Sequence, residues 1–197
     1  NILRWKAQSS KELKELYLKL EEHDQFAYAT DVLLTKMKQD EKEGNPISLK
    51  ERHALVKFIY KDHSLPSSFK FDKALQKLNA YDELNETDKC ETLGLAGAIH
   101  KYKWLYDHQY KNLERSLFYY QRGYESWKKY LTLDSATKTL NQHMNDDGYT
   151  AINYAYILEL MAIDRLENLR NVADVSDYVM TQLKAAHEVR YFILEQF

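Results

Sequence analysis

The residues of this chain that could do covalent chemistry are one cysteine and seven histidines, and their spacing decides whether they can act. Cys90 would need a partnered histidine and an electropositive, partly open setting to serve as a nucleophile. The nearest histidine in sequence, His100, stands ten positions further along the same expected helix, so Cys90 reads as a core or helix-start thiol. The histidines at 23, 53, 63, 100, 108, 143 and 187 show no His-Glu-x-x-His pairing, and there is no second cysteine to complete a structural zinc site. Gly94 and Gly97 are followed by no Lys-Ser/Thr and preceded by no strand pattern, which argues against a phosphate loop. No metal, no cofactor and no enzymatic activity are expected, because no nucleophile–base pair or ligand set is visible. Binding chemistry remains. Lys61-Asp62 form a charged pair at an expected helix end, ahead of Leu65-Pro66, where they could hold backbone carbonyls or reach a ligand.

Helices must position these groups. The chain has 197 residues, 44% of them apolar and 29% charged, with 5 Gly and 2 Pro, a composition that disfavours disordered, collagen-like and glycine-rich β-sandwich chains. A chain this long buries roughly 70% of its unfolded surface, enough for a sizeable core. The formal charge of −2 gives no general drive toward phosphate backbones or anionic lipid, so neither nucleic acid nor membrane is an expected partner. No apolar run reaches the roughly 20 residues of a membrane span, since the Ala155–Ala162 stretch carries Glu159. One unpaired cysteine and no secretory pattern point to a reducing, cytoplasmic setting. Asn1 is not Met, and the chain is expected to be one domain cut from a longer protein.

Apolar residues at three- and four-residue steps mark the helices. Leu13, Leu16, Tyr17 and Leu20 predict one helix from Ser10 to about His23, and Asp24 is expected to cap a second, with Phe26, Ala27, Val32, Leu33, Leu34 and Met37 inward. Lys36/Lys38 and Lys128/Lys129, interleaved with acids, read as solvated faces. Ser48 and Glu51 have capping-box spacing ahead of a helix through Tyr60. Phe69, Phe71, Ala74, Leu75 and Leu78 mark a fourth helix, and Asp88 with Glu91 look like the cap of a fifth, Cys90 to about Tyr106. Gly94 and Gly97 inside that helix each cost up to about 1 kcal/mol relative to Ala, which close approach of a neighbouring helix would justify. A further helix carries Leu117, Tyr120, Tyr124 and Trp127 on one side. The polar run 131–148 suggests an exposed connection with one short helix after Asp134, before helices from Tyr149 to about Leu169 and from Val175 to Gln196. Gln39–Asn45 and Leu131–Gly148 are the expected flexible places.

Leu93-Gly94 with Gly97, then Ser116, Tyr120 and Gly123, resemble the small and aromatic positions of the two helices of a tetratricopeptide repeat, although the link between them is longer than that repeat allows. The expected fold is therefore all-α, a tetratricopeptide-like helical-repeat superhelix, or α-solenoid, of about eight or nine antiparallel helices. Longer strings sharpen the likeness: Tyr60-Lys61-Asp62 with Leu65-Pro66, Glu91-Thr92-Leu93-Gly94-Leu95-Ala96-Gly97-Ala98-Ile99-His100-Lys101 with Trp104, Tyr120-Gln121-Arg122-Gly123-Tyr124, and Asp147-Gly148-Tyr149-Thr150-Ala151-Ile152-Asn153. Together they resemble bacterial tetratricopeptide-repeat proteins carrying the TRAFs-binding domain, which also lies in the central regulatory region of the apoptosis signal-regulating kinases. The likeness spans roughly Leu13 to Phe197. Two departures stand out: the 131–148 connection is longer than the family's usual spacing, and further helices would be expected next.

This resemblance implies a regulatory module that receives a protein partner or passes a signal to an attached effector domain, with a nucleotide-derived ligand as the rival. Within the family strings, Glu91, Lys101, Arg122 and Asn153 could line one side of the array. There Arg122 would hold phosphate in bidentate fashion and Asn153 a base edge or peptide backbone. The competing reading makes them caps and inter-helix salt bridges. Tyr119, Tyr120, Tyr124, Tyr149, Tyr154 and Tyr156 crowd the same strings, either as core with a tethered hydroxyl or as the wall of a recognition groove.

Overall fold

A computed structural model of the chain describes residues 9–168 and 172–197, and every regular element among them is helical. Packing gathers the chain into two compact units, Asn1–Glu83 and Leu84–Phe197.

The first unit holds α1 (Ser10–Glu22), α2 (Phe26–Glu43), α3 (Leu49–Lys61) and α4 (Ser67–Tyr81), each packed on the next. A capping box starts α1, in which Ser9 Oγ accepts from the Glu12 N–H and the Glu12 carboxylate accepts from the Ser9 N–H at 2.7 Å. Asp24 does not cap α2. It closes α1 instead, at φ 54°, while Gln25 N donates to Leu20 O (2.8 Å) and Asp24 N to Glu21 O (3.0 Å), the paired bonds of a left-handed helix end. No side chain caps the start of α2. Phe26, Ala29, Leu33 and Met37 supply the buried stripe of α2, and Lys36 and Asp40 lie buried on that same stripe. Lys36 is thus not on a solvated face as its neighbours suggest. Its Nζ lies 2.5 Å from Asp40 Oδ2 and 2.5 Å from Glu51 Oε1, while Ser10 Oγ donates to Asp40 Oδ1 at 2.8 Å. Glu51 doubles as the second half of the expected capping box with Ser48 at the start of α3.

The second unit holds α5 (Cys90–Asp107), α6 (Tyr110–Leu131), α7 (Ser135–Leu140), a one-turn 3-10 segment Gln142–Met144, α8 (Tyr149–Asn168) and α9 (Val172–Leu194). Helix α5 packs on α6, α6 on α8 and α8 on α9, and α5 also reaches α8. The expected close approach is present: a Cβ on Gly97 would stand 2.9 Å from the Tyr120 ring, and one on Gly123 would stand 2.5 Å from Thr150 Cγ2. Ser116 Oγ ties α6 to the Gly97 carbonyl at 2.8 Å. Cys90, Trp127, Met144, Ala151, Ala155 and Leu158 form the neighbouring core. Fully buried Cys90 donates to the Met144 carbonyl at 2.9 Å, and burial pushes its thiol up to about 12. Asp134 caps α7 as expected. The polar 131–148 connection is pinned by Met144 in that core and by Asp146, whose carboxylate accepts from the N–H of Gly148 (3.1 Å) and Thr150 (2.8 Å). Asp88 does not cap α5, since the residue at the cap position is Lys89 and no side chain bonds there. The Asp88 carboxylate faces His143 Nε2 at 3.2 Å, and its carbonyl takes a 2.5 Å bond from Ser126 Oγ. Leu169, the expected end of α8, lies outside the described residues.

Candidate functional site

The glycines that let α5 approach its neighbours also bring its polar end against α8. A Cβ on Gly94 would lie 3.1 Å from the Tyr149 ring, and two turns further along α5 the Lys101 ammonium donates to Asn153 Oδ1 at 3.0 Å. The same ammonium stands 5.4 Å from the centre of the Tyr156 ring and 5.8 Å from that of Tyr120. Asn153 is oriented in turn by the bond from its Nδ2 to the Tyr149 carbonyl at 2.9 Å. Lys101 is half-buried, and desolvation lowers its pKa; no carboxylate among the described residues pairs with it. Tyr120 is fully buried, with its ring edge-on to Tyr149 at 6.4 Å. Burial raises the Tyr149 hydroxyl against a bond from Tyr120 that lowers it.

Beside this cation, α8 shows solvent an apolar stripe. Tyr149, Ile152 and Tyr156, at steps of three and four, are 49%, 45% and 45% exposed, whereas Ala151, Ala155, Leu158 and Ala162 on the opposite side are buried. A half-buried ammonium between aromatic rings, bordered by exposed aromatic and aliphatic side chains, can recognise an extended ligand by one charged contact and several apolar ones.

Of the seven residues singled out by sequence, Lys101, Asn153 and Tyr149 come together here. Glu91 lies exposed on the first turn of α5, with its charge bearing on the Tyr149 hydroxyl. Arg122 is directed elsewhere: Nη1 and Nη2 donate to the carbonyls of Leu84 and Thr87, each at 2.6 Å, and the guanidinium stacks 5.5 Å from the Phe118 ring. It therefore fastens the connection ahead of α5. In the first unit, Lys61 lies over the Phe26 ring at 5.4 Å. Asp62 accepts from Ser64 N (2.8 Å) and Ser64 Oγ (2.7 Å), and its carbonyl takes the buried Lys70 ammonium at 3.0 Å. Asp62 also borders a shallow cleft of about 120 Å³ with Asp24, Phe26 and Ser64. Both residues of that pair thus have intramolecular partners, Lys61 on α2 and Asp62 at the α3–α4 turn. Tyr156 was a candidate only as one of six clustered tyrosines, and Ile152 was not among the sequence candidates. Their signal is a second apolar stripe on α8, out of phase with the buried one.

Helices packed in succession, with small residues at the contacts and a buried tyrosine filling the space between pairs, define a helical-repeat protein of the tetratricopeptide type. The chain belongs to the Tetratricopeptide Repeats-Sensor family, whose model matches residues 7–158 and so takes in Lys101, Tyr149, Asn153 and Tyr156. No curated protein and no solved structure matches the chain. Repeats of this type generally mediate protein interactions and are generally not catalytic. Among the described residues, no helix is long and apolar enough to cross a membrane.

Proposed function

We propose that this chain is a non-enzymatic, cytoplasmic regulatory module of a larger signalling protein, and that it binds a partner segment along the α5–α8 face. The observation that carries this reading is the exposed stripe Tyr149, Ile152 and Tyr156 beside the Lys101–Asn153 pair. Large apolar side chains held in solvent on a rigid helix, next to an oriented polar pair, are the composition of an interface centre. Occupation of that face would favour one packing of α5 against α8, and the bias would pass to an attached effector domain. The resemblance to the regulatory region of the apoptosis signal-regulating kinases is the reason to expect such an effector. The test is selection of random peptides on phage, run in parallel against the chain and against an Ile152→Asp/Tyr156→Asp variant. Enrichment on the unchanged chain with none on the variant supports the reading, and equal enrichment on both removes it.

A second reading is a sensor of a nucleotide-derived ligand, favoured by the family's description as a sensor and by the Lys101–Asn153 pair. Arg122 has no part in it, because its guanidinium is engaged by two carbonyls. Thermal unfolding with NAD, ADP-ribose and cyclic dinucleotides tests it. A ligand at a hundred times its Kd adds about 2.7 kcal/mol and should raise Tm by roughly 5–10 °C for a chain of this size.

A further inference from the structure

We infer that Lys101 is the charge-reading point of the α5–α8 face, and that the segment it accepts is a peptide carrying a side-chain carboxylate between apolar residues. The inference rests on the interaction-module reading above and specifies the chemistry of the partner.

An ammonium removed from water is retained at low cost only when a counter-charge or a full set of acceptors surrounds it. Lys101 has one amide oxygen and two aromatic faces, and no carboxylate among the described residues pairs with it. The protein supplies an oxygen to one of its three N–H groups, and the others are left to solvent or to a ligand. Two other lysines show the contrast: Lys36 sits between Asp40 and Glu51, and Lys57 lies 2.5 Å from Glu21, whereas Lys70, on the Asp62 carbonyl, is 7% exposed and closed to a ligand. A carboxylate from outside would complete at Lys101 what the chain itself completes at Lys36 and Lys57.

Three features favour a carboxylate in a peptide over a phosphate. The site offers one positive charge, half of what a dianionic phosphate draws. Arg122, the phosphate-binding candidate of the sequence, is bound instead to the Leu84 and Thr87 carbonyls. The start of α8, where backbone N–H groups could cradle phosphate, is already filled by the Asp146 carboxylate. Apolar flanks follow from the stripe on α8: Tyr149 to Tyr156 extends about 10 Å along the helix, the reach of several residues of extended peptide.

The experiment uses peptides selected on the unchanged chain, synthesised in glutamate and glutamine versions and measured by fluorescence anisotropy. The expected result is Asp or Glu flanked by aliphatic or aromatic residues in the selected set, with about ten- to a hundredfold weaker binding of the glutamine version. Lys101→Met should weaken the glutamate peptide by a similar factor and bind both versions alike, whereas Lys101→Arg should keep the discrimination. The glutamate–glutamine comparison needs no variant, so it stands even if Lys101→Met fails to fold. Selected peptides without an acid, or equal binding of both versions, overturn the inference and leave the apolar face intact as a docking site. Displacement of the peptide by a nucleotide with no preference for the glutamate version overturns it in favour of a phosphate ligand. Failure to enrich any peptide over the Ile152→Asp/Tyr156→Asp variant takes down both the inference and the module reading.

Discussion

Where α2 meets α3 in the first unit, the space between the helices is filled by charge; where α6 meets α8 in the second, the space is closed by a glycine. Buried Lys36 and Asp40 form a triad with the half-buried Glu51, and Ser10 and Ser48 are attached to its oxygens. Each oxygen–nitrogen pair fixes a distance and a direction, so the triad sets the register of α2 against α3 and links it to the start of α1. Gly123 and Thr150 achieve register by shape: only a residue without a Cβ lets the α8 threonine sit against the α6 backbone. The two solutions fail differently. A charge cluster is sensitive to the loss of any one member, because the others remain buried and unpaired. A glycine contact is sensitive to the gain of a single carbon.

The largest expected effect follows from the first of these. Lys36→Met keeps the volume of the side chain and strands two acidic groups, so it should destabilise the first unit by about 3–5 kcal/mol. Hydrogen exchange of the α2 and α3 amides would register the loss. The double variant Lys36→Met/Asp40→Met should recover part of it, since it removes one of the two stranded acids and leaves Glu51 with its bonds from Ser48. A Lys36→Met protein as stable as the unchanged one would show that the triad is solvated and does not lock α2 to α3.

Gly123→Ala comes next. The added carbon would meet Thr150 Cγ2 at 2.5 Å and Thr150 Cβ at 2.7 Å, in a fully buried, β-branched side chain with little freedom to turn away. Overpacking of this kind costs about 1–3 kcal/mol, offset by up to about 1 kcal/mol from the better helix propensity of alanine. Gly94→Ala provides the control. Its Cβ would meet Tyr149 at 3.1 Å, a half-exposed ring that can shift, so the same substitution on α5 should be near neutral. Urea unfolding of both variants measures the difference, and equal destabilisation would refute the close-approach account.

How much of this was legible in the sequence differs between the two solutions. Glycines in a helix carry a propensity penalty that calls for a packing reason, so Gly94 and Gly97 announced the contact before its partners were known. Caps were legible where one short-range rule decides, as at Ser48/Glu51 and Asp134, and misleading where the backbone turned otherwise, as at Asp24 and Asp88. The burial of Lys36 was not legible. A lysine four residues from an aspartate has the same spacing on a solvated face, and only its meeting with Glu51 across a turn distinguishes them. At the site, Lys101 and Asn153 are 52 positions apart and no spacing rule pairs them. The contacts of Arg122 were not legible for a different reason: its partners are the Leu84 and Thr87 carbonyls, and backbone acceptors leave no side-chain pattern to read. The exposed stripe on α8 was in principle readable as a second apolar periodicity, but sixteen tyrosines spread through the chain obscured it.

The smallest expected effect, and the one that separates the two units most directly, is their response to acid. Hydrogen bonding to Lys36 is the largest influence on Asp40 and holds it below the ordinary carboxylate range. Desolvation acts most strongly on Glu51 and would raise it, but bonds from Lys36 and Ser48 leave it lowered. For both groups the unfolded chain takes up protons first as the pH falls, so the stability they contribute is present above the ordinary value near 4 and is lost below it. Asp146 in the second unit runs the other way. Burial is its largest influence and outweighs the bonds from Thr150 and Gly148, so its folded pKa is raised. The folded state then binds the proton first, and between the raised and the ordinary value its contribution increases as the pH falls. Amide exchange corrected for intrinsic rates should therefore show α2 losing protection on acidification below about pH 4, after an interval at higher pH in which the first turn of α8 holds or gains. Asp146→Asn keeps one of the two acceptor oxygens, enough for the Thr150 N–H, and should abolish that gain while leaving the α2 response unchanged. Loss of α8 protection in step with α2 would mean that the Asp146 carboxylate is open to water, and the distinction between a paired acid in one unit and a desolvated acid in the other would fall.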